Sequence, residues 1–123
     1  PARPNPEDLV LLVSSCDLLV LPTTPDILAL DALALMVDYL SQMQWVNYKI
    51  LLTVIPPPPS QAGQAVRAML QSVPLPLLAA GIRRYAAYQK AAQAGRVVYE
   101  VKDGKAELAW QDYLAAGQEL LHP

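Results

Sequence analysis

The sequence predicts an α/β protein in which a parallel sheet is flanked by helices. Two features carry this reading. Residues 17–21 and Tyr48–Ile55 are short apolar runs that end at Pro22 and Pro56, and each is followed by a polar turn and a helical pattern. Strands covered on both faces read as such unbroken hydrophobic runs rather than as an alternation. Strands separated by helices of this length join in parallel through right-handed crossovers. The most informative stretch is Cys16-Asp17-Leu18-Leu19-Val20-Leu21-Pro22-Thr23-Thr24-Pro25-Asp26. There a buried strand hands over to a helix, so the loop after Leu21 lies at the edge where α/β sheets bind ligands.

The elements follow in order. Asn5-Pro6-Glu7-Asp8 has a cap residue, a proline at the first helical position and acids in the first turn, and it opens a helix reaching about Ser15. Thr24-Pro25-Asp26 repeats that grammar before a helix over 27–43, apolar on nearly every side and therefore expected to pack on more than one face. Tyr48–Ile55 is rich in branched residues and forms the second strand. Pro56 to Pro59 reads as a stiff loop, with a polyproline ligand as the alternative. A helix over 60–72 leads to a short third strand at 74–78, whose prolines place it near an edge. Residues 84–95 are helical and stop at Gly95. Residues 97–101 form a brief extended piece, and Asp103-Gly104 turns into a last helix over 105–121. Its 3–4 spacing puts Ala106, Ala109, Trp110, Tyr113, Leu114, Gly117 and Leu120 on one docking face.

At 123 residues the chain is one domain or part of a larger one. Its 54% apolar content is above that of most soluble domains, so more than this chain is expected to cover its surface. The longest apolar stretch is interrupted by Asp31 and Asp38, well short of a membrane span of about 20 residues. The chain reads as soluble and cytoplasmic. The single cysteine, Cys16, is expected to be a buried structural thiol. A net charge of −2 argues against a surface that coats nucleic acid as a whole but leaves room for a basic patch.

The lone histidine, His122, stands next to the last residue, which excludes a zinc site and a histidine-based triad. Neither Gly-x-x-x-x-Gly-Lys-Ser/Thr nor Gly-x-Gly-x-x-Gly occurs. Within this chain there is no catalytic group, no metal ligand set and no means of gripping phosphates.

The order of several motifs nevertheless resembles a family. Pro1-Ala2-Arg3-Pro4 before a helix, then residues Cys16 to Asp26, are similar to the region just after the Asp-Thr-Pro switch of ParA/MinD-type deviant Walker ATPases. Lys49-Ile50-Leu51-Leu52-Thr53 is similar to their next sheet strand. Pro76-Leu77-Leu78, Gly81-Ile82-Arg83, Tyr88-Gln89-Lys90-Ala91 and Gly95 resemble the family's strand, isoleucine-arginine pair and alanine-rich helix. The resemblance covers residues 1–123 as the C-terminal half of a P-loop NTPase domain, the ParA branch being the better match. It implies an ATPase that uses ATP and Mg2+, dimerises face to face, binds DNA non-specifically, and is stimulated by a partner protein to hydrolyse ATP. Such proteins are cytoplasmic, associate with the nucleoid, and position or segregate DNA or large protein cargos. The phosphate loop, magnesium ligands and catalytic aspartate would lie upstream of Pro1, so this chain alone is expected to be inactive.

Carried over by position, Pro22 and Thr23 would flank the phosphate side, Thr53 and Pro56 would approach the adenine, and Leu75, Pro76 and Leu77 would approach it from the other side. Thr53 stands where the MinD branch often has Asn-Arg, and apart from the resemblance it reads as an ordinary strand residue. Arg3 and Asp31 would belong to the switch and dimer face. Asp31 is the one charge deep in an apolar helix, and a carboxylate buried there needs a partner; a solvated face is the alternative. Arg83, Arg84, Lys90 and Arg96, interleaved with Tyr85 and Tyr88, would form a salt-dependent patch for the DNA backbone, or simply a solvated helix. Two other functions stay open. One is a non-catalytic α/β module for dimerisation or cargo contact. The other is a membrane-associated regulator of the MinD type, for which the ending Gln118-Glu119-Leu120-Leu121-His122-Pro123 lacks the expected basic amphipathic helix.

Overall fold

A computed structural model describes residues 5–43 and 46–122. The order of elements is α1 (Pro6–Ser14), β1 (Leu19–Thr23), α2 (Ile27–Ser41), β2 (Tyr48–Ile55), α3 (Ala62–Ser72), β3 (Leu77–Arg83), α4 (Ala86–Ala94), a 3-10 turn (Val98–Glu100) and α5 (Ala106–Leu121). The strands form one parallel three-stranded sheet in the order β1-β2-β3. The α/β class expected from the sequence is therefore observed.

Alternation along the strands sorts the core into layers. Leu21, Ile50 and Leu52 face one way and pack with Leu9 of α1, Leu33 and Leu40 of α2, and Val66 and Leu70 of α3. Leu51, Leu78 and Ile82 face the other way, against Ala116 of α5. A third cluster, Ala87, Ala91, Val98, Ala106 and Ala109, ties α4 and the 3-10 turn to α5. Alanine at these positions lets the helices approach closely at little entropic cost.

The cap predicted at Asn5 is present, its Oδ1 accepting from the Glu7 N–H at 2.9 Å. In Thr24-Pro25-Asp26 the cap is the aspartate and not the threonine that the repeated pattern puts first: Asp26 Oδ1 accepts from the Ala29 N–H at 2.9 Å and α2 begins at Ile27. Gly95 ends α4 at φ 63°, a left-handed conformation that favours glycine. Gly63 and Gly81 flank Ile55: a Cβ on either would lie within 2.7 Å of an Ile55 side-chain carbon, so both glycines allow α3 and β3 to close on β2.

Several expectations are corrected. The first strand lies two residues later than 17–21 and runs through Pro22. Leu19 N–H donates to Asn47 O on the β2 side at 2.9 Å, so by the two-residue period Pro22 turns its nitrogen to the opposite edge, where no donor is needed. The third strand is Leu77–Arg83, not 74–78: Pro76 O accepts from Ile50 N–H at 2.8 Å as the entry to the strand, which then continues through Ala79, Ala80 and Gly81. Residues 98–100 form a 3-10 turn instead of an extended piece. Cys16 is exposed, because it precedes the strand. Of the face expected for α5, Ala106 and Ala109 are buried and Trp110 and Leu120 pack at its margins, but Asp112 and Ala116 are buried as well and Tyr113 is exposed. Helix α2 leaves one side uncovered, with Ile27 75% and Leu28 80% exposed.

The burial of Asp112 has a chemical reason. Asp112, only 9% exposed, accepts the Arg83 backbone N–H at 2.9 Å and the Arg83 guanidinium at 2.8 Å and 3.0 Å. Two turns on, Glu119 accepts the N–H groups of Ala79 and Ala80 at 2.8 Å and 2.9 Å. Successive N–H groups point the same way only where a strand is irregular, and the β2–β3 register slips between Ile50–Leu77 and Leu52–Gly81. Helix α5 thus fastens β3 with two carboxylates.

Charge-assisted bonds of this kind contribute about 1.5–3 kcal/mol each, and leaving a partner unsatisfied costs more than the mean. Asp112→Ala is expected to lower stability by about 2 kcal/mol in urea titration, whereas Arg96→Ala, which loses an exposed 3.8 Å pair with Glu100, should change it by less than about 0.5 kcal/mol.

Candidate functional site

The carboxyl ends of three parallel strands converge on one edge of the sheet, and the described residues there form three adjoining clefts. The first, about 480 Å³, is lined by Pro22, Thr23 and Thr24 after β1, Thr53 of β2, and Ala29, Ala32 and Met36 of α2. Thr23 is buried, and the Thr53 hydroxyl donates to its carbonyl at 3.4 Å. Asp26 caps α2 beside this cleft. Its carboxylate is held below the usual range by the Thr24 hydroxyl and then by the Ala29 N–H.

The second cleft, about 400 Å³, lies between the proline loop and the end of β3, with Ile55, Pro56, Ser60, Gly63 and Gln64 on one side and Arg83, Arg84, Tyr85 and Lys105 on the other. The Arg84 N–H donates to Ile55 O at 2.8 Å and closes the β2–β3 ladder at its mouth. The third, about 240 Å³, is lined by Thr53, Val54, Arg83, Arg84, Tyr85, Tyr88 and Tyr113. Val54 sits at φ 52°, where a β-branched residue is strained, and the β2–β3 register slips here a second time. This irregularity turns β2 outward at the point where the clefts meet.

No carboxylate, imidazole or thiol lines any of the three clefts. Their chemistry is that of binding: hydroxyls, aromatic faces and three cations, suited to a planar or anionic ligand. Arg83 lies over the Tyr85 ring at 5.3 Å, and Tyr88 meets Tyr113 edge-on at 5.5 Å. The Tyr88 hydroxyl donates to Ala109 O at 2.7 Å. Burial, reinforced by the Asp112 charge, pushes the Tyr88 phenol well above its ordinary value. Asp112 also raises the Arg83 guanidinium, which stays charged throughout.

The sequence-predicted residues are thereby sorted. Pro22, Thr23 and Thr53 share the first cleft, and Pro56 lines the second. Leu75, Pro76 and Leu77 do not join them: Leu77 opens β3 and pairs with Ile50, so these three stand at the opposite end of the sheet. The residues that meet Pro56 across the cleft are Arg83, Arg84 and Tyr85, at the true carboxyl end of β3. Asp31 is exposed on α2 and needs no buried partner. Arg3 lies outside the described residues. Of the four basic residues, Arg83 is paired with Asp112, Lys90 with Asp103 at 2.7 Å and Arg96 with Glu100, while Arg84 faces the second cleft. Lys105, Ser60 and Gln64 were not singled out by sequence reasoning, because nothing local marks a residue that only a distant loop turns into a cleft wall.

Among the described residues no group of three or more His, Cys, Asp or Glu could hold a metal ion, and no helix is long and apolar enough to cross a membrane. Fold and clefts together define an α/β chain with a parallel sheet whose carboxyl edge is hollowed by clefts, an arrangement consistent with half of a P-loop NTPase domain. No protein-family model matches the chain. Over 114 residues, 91% of its length, the chain is 32% identical to Maintenance of carboxysome distribution protein A of Gloeobacter kilaueensis. It spans 52%, about half, of that protein.

The phenol shift sets an alkaline limit. As pH rises past the ordinary value near 10.0, Tyr88 ionises in the unfolded chain before it does in the folded one, so its contribution is complete below that pH and falls away above it. Tyr88→Phe should cost about 1 kcal/mol at neutral pH, from the lost bond to Ala109 O, and should flatten the fall in stability above pH 10, read from urea midpoints across the range.

Proposed function

We propose that this chain is the C-terminal half of a ParA-like ATPase that positions a large cargo through partner-stimulated ATP hydrolysis. The observation that carries this is the similarity over nearly the whole chain to a protein named for carboxysome distribution, joined to a parallel sheet with binding clefts at its carboxyl edge. A carboxysome or similar assembly is the cargo this relative suggests. In this reading the base and ribose of ATP lie against Thr53 and Pro56. Pro22 and Thr23 border the phosphates and a second copy of the protein, beside the exposed Ile27 and Leu28. The clefts contain no carboxylates that would repel a nucleotide and fit its apolar and anionic parts. Mg2+ and the transferred phosphate would be held from outside this chain, by the half that the relative has in addition. The protein is expected to act in the cytoplasm, on the nucleoid.

The decisive experiment is ATP turnover by the protein carrying its upstream sequence, with and without duplex DNA. Slow turnover there and none by residues 1–123 alone is the expected result. A longer protein that neither binds nor hydrolyses ATP would overturn the reading in favour of a non-catalytic interaction module.

The ion pairs also redirect the expected DNA contacts. Lys90 and Arg96 each lie beside a carboxylate and Arg83 is engaged by Asp112, whereas Arg84 faces a cleft that no carboxylate lines. Arg84→Glu in the ATP-bound longer protein should weaken binding to duplex DNA about tenfold or more and lower the salt dependence, while Lys90→Glu should have a smaller effect. Equal effects, or binding insensitive to salt, would count against a DNA-backbone contact by Arg84.

A further inference from the structure

Helix α5 carries a second face that the sheet does not use. Its buried residues, Ala106, Ala109, Asp112 and Ala116, turn toward β3 and α4. About a third of a turn round the helix, Trp110, Leu114, Gly117 and Leu121 recur at steps of four, three and four, the spacing of a two-helix seam. Trp110, at the head of this stripe, is half-buried and meets Tyr99 edge-on at 5.0 Å. Leu114 is half-buried yet belongs to none of the three core clusters. A Cβ on Gly117 would meet nothing within 4 Å, and Leu121 is 78% exposed. The stripe therefore faces open space, and it lines none of the clefts at the carboxyl edge. Its borders are Glu107, Gln111 and Gln118 on one side and Tyr113 on the other, and α5 contains no Lys or Arg.

We propose that this stripe pairs two copies of the chain, with their α5 helices antiparallel about a two-fold axis between Leu114 and Gly117. The sizes along the stripe match when it is reversed: Leu114 of each copy covers the open backbone at Gly117 of the other, and Trp110 covers Leu121. Glycine at the crossing lets the helix axes approach to about 8 Å, the near end of the usual range. The charges fit the same arrangement. Reversal carries Glu107 toward His122 of the second copy and away from the other Glu107, so no like charges are opposed. With no cation on α5, neither an anionic lipid surface nor a nucleic acid is drawn to the stripe. Further strands can join the sheet only at β1, the edge remote from α5, so an upstream half would leave the stripe free. The contact is short, about three turns or 17 Å, and falls below the area that holds a permanent dimer, so the pair is weak and reversible. It requires no nucleotide and is separate from the face-to-face dimer implied for a ParA-like ATPase.

Sedimentation equilibrium of residues 1–123 without nucleotide tests the pairing. A monomer–dimer equilibrium is expected, with a Kd of about 10–100 μM. Leu114→Glu and Gly117→Glu should each weaken it about tenfold or more, whereas Leu108→Glu, 41% exposed on the other side of α5, should leave it unchanged. Gly117→Glu raises helix propensity and enters open space, so its loss of pairing is not a loss of fold, which thermal unfolding followed by circular dichroism would verify. Two-fold symmetry makes one further demand, because position 117 of one copy lies close to 117 of the other. Gly117→Glu and Gly117→Lys should each be monomeric alone and should pair when mixed. A chain that stays monomeric at about 1 mM, a dimer indifferent to Leu114→Glu and Gly117→Glu, a dimer that forms only with ATP, or no recovery on mixing would overturn the proposal. ATP turnover by the protein carrying its upstream sequence should be unaffected by Leu114→Glu, so the pairing and the ATPase reading can fail separately.

Discussion

The grip of α5 on β3 is the constraint on which the rest of the structure depends. β3 lies at the edge of the described sheet, carries Ala79-Ala80-Gly81 in its middle, and has little intrinsic reason to be a strand. Glu119 and Asp112, seven residues apart on one face of α5, supply the acceptors that no further strand supplies. An unpaired edge is a site of unwanted association, and covering it with a helix is one of the ways native sheets avoid that. With β3 capped in this way, growth of the sheet is confined to the β1 side, where Pro22 has no N–H to offer and Val20 keeps its own.

The same grip builds the cleft-bearing edge of the sheet. Holding the Arg83 main chain and side chain together fixes where β3 ends, and that end brings Arg84 and Tyr85 across from Pro56. The β2 irregularity at Val54 opens the neighbouring space. Helix α5 starts beyond the strand ends, which is how Lys105 comes to line the same cleft. A cleft made from three separate segments is thus positioned by two carboxylates of α5.

What could be read in the sequence was what local chemistry decides. The cap at Asn5, the stop at Gly95 and the branched run of β2 are each set within a few residues, and each stands as expected, while the start of α2 shifts its cap from Thr24 to Asp26. What escaped was set at a distance. The extent of β3 depends on Glu119, 40 residues from Ala79, and the buried face of α5 depends on Arg83, 29 residues from Asp112. An aspartate on a mostly apolar helix face looks like an interruption until its partner is known. Placing the third strand at 74–78 drew Leu75, Pro76 and Leu77 into the site; the strand runs on to Arg83, so the loop that follows it supplies the wall instead. Asp31 follows the solvated-face alternative: apolar neighbours in sequence do not bury a residue when α2 leaves one side uncovered.

The grip can be tested amide by amide with native-state hydrogen exchange. The N–H groups of Ala79, Ala80 and Arg83 have carboxylate acceptors and no strand partner, so they should exchange slowly, close to the rate of the β2 core amides. In Glu119→Ala the Ala79 and Ala80 amides should lose that protection while Leu51 and Leu52 keep theirs. If Ala79 and Ala80 exchange in the native protein as fast as amides of an exposed loop, α5 does not hold the edge of the sheet and the account of both the fold and the cleft fails.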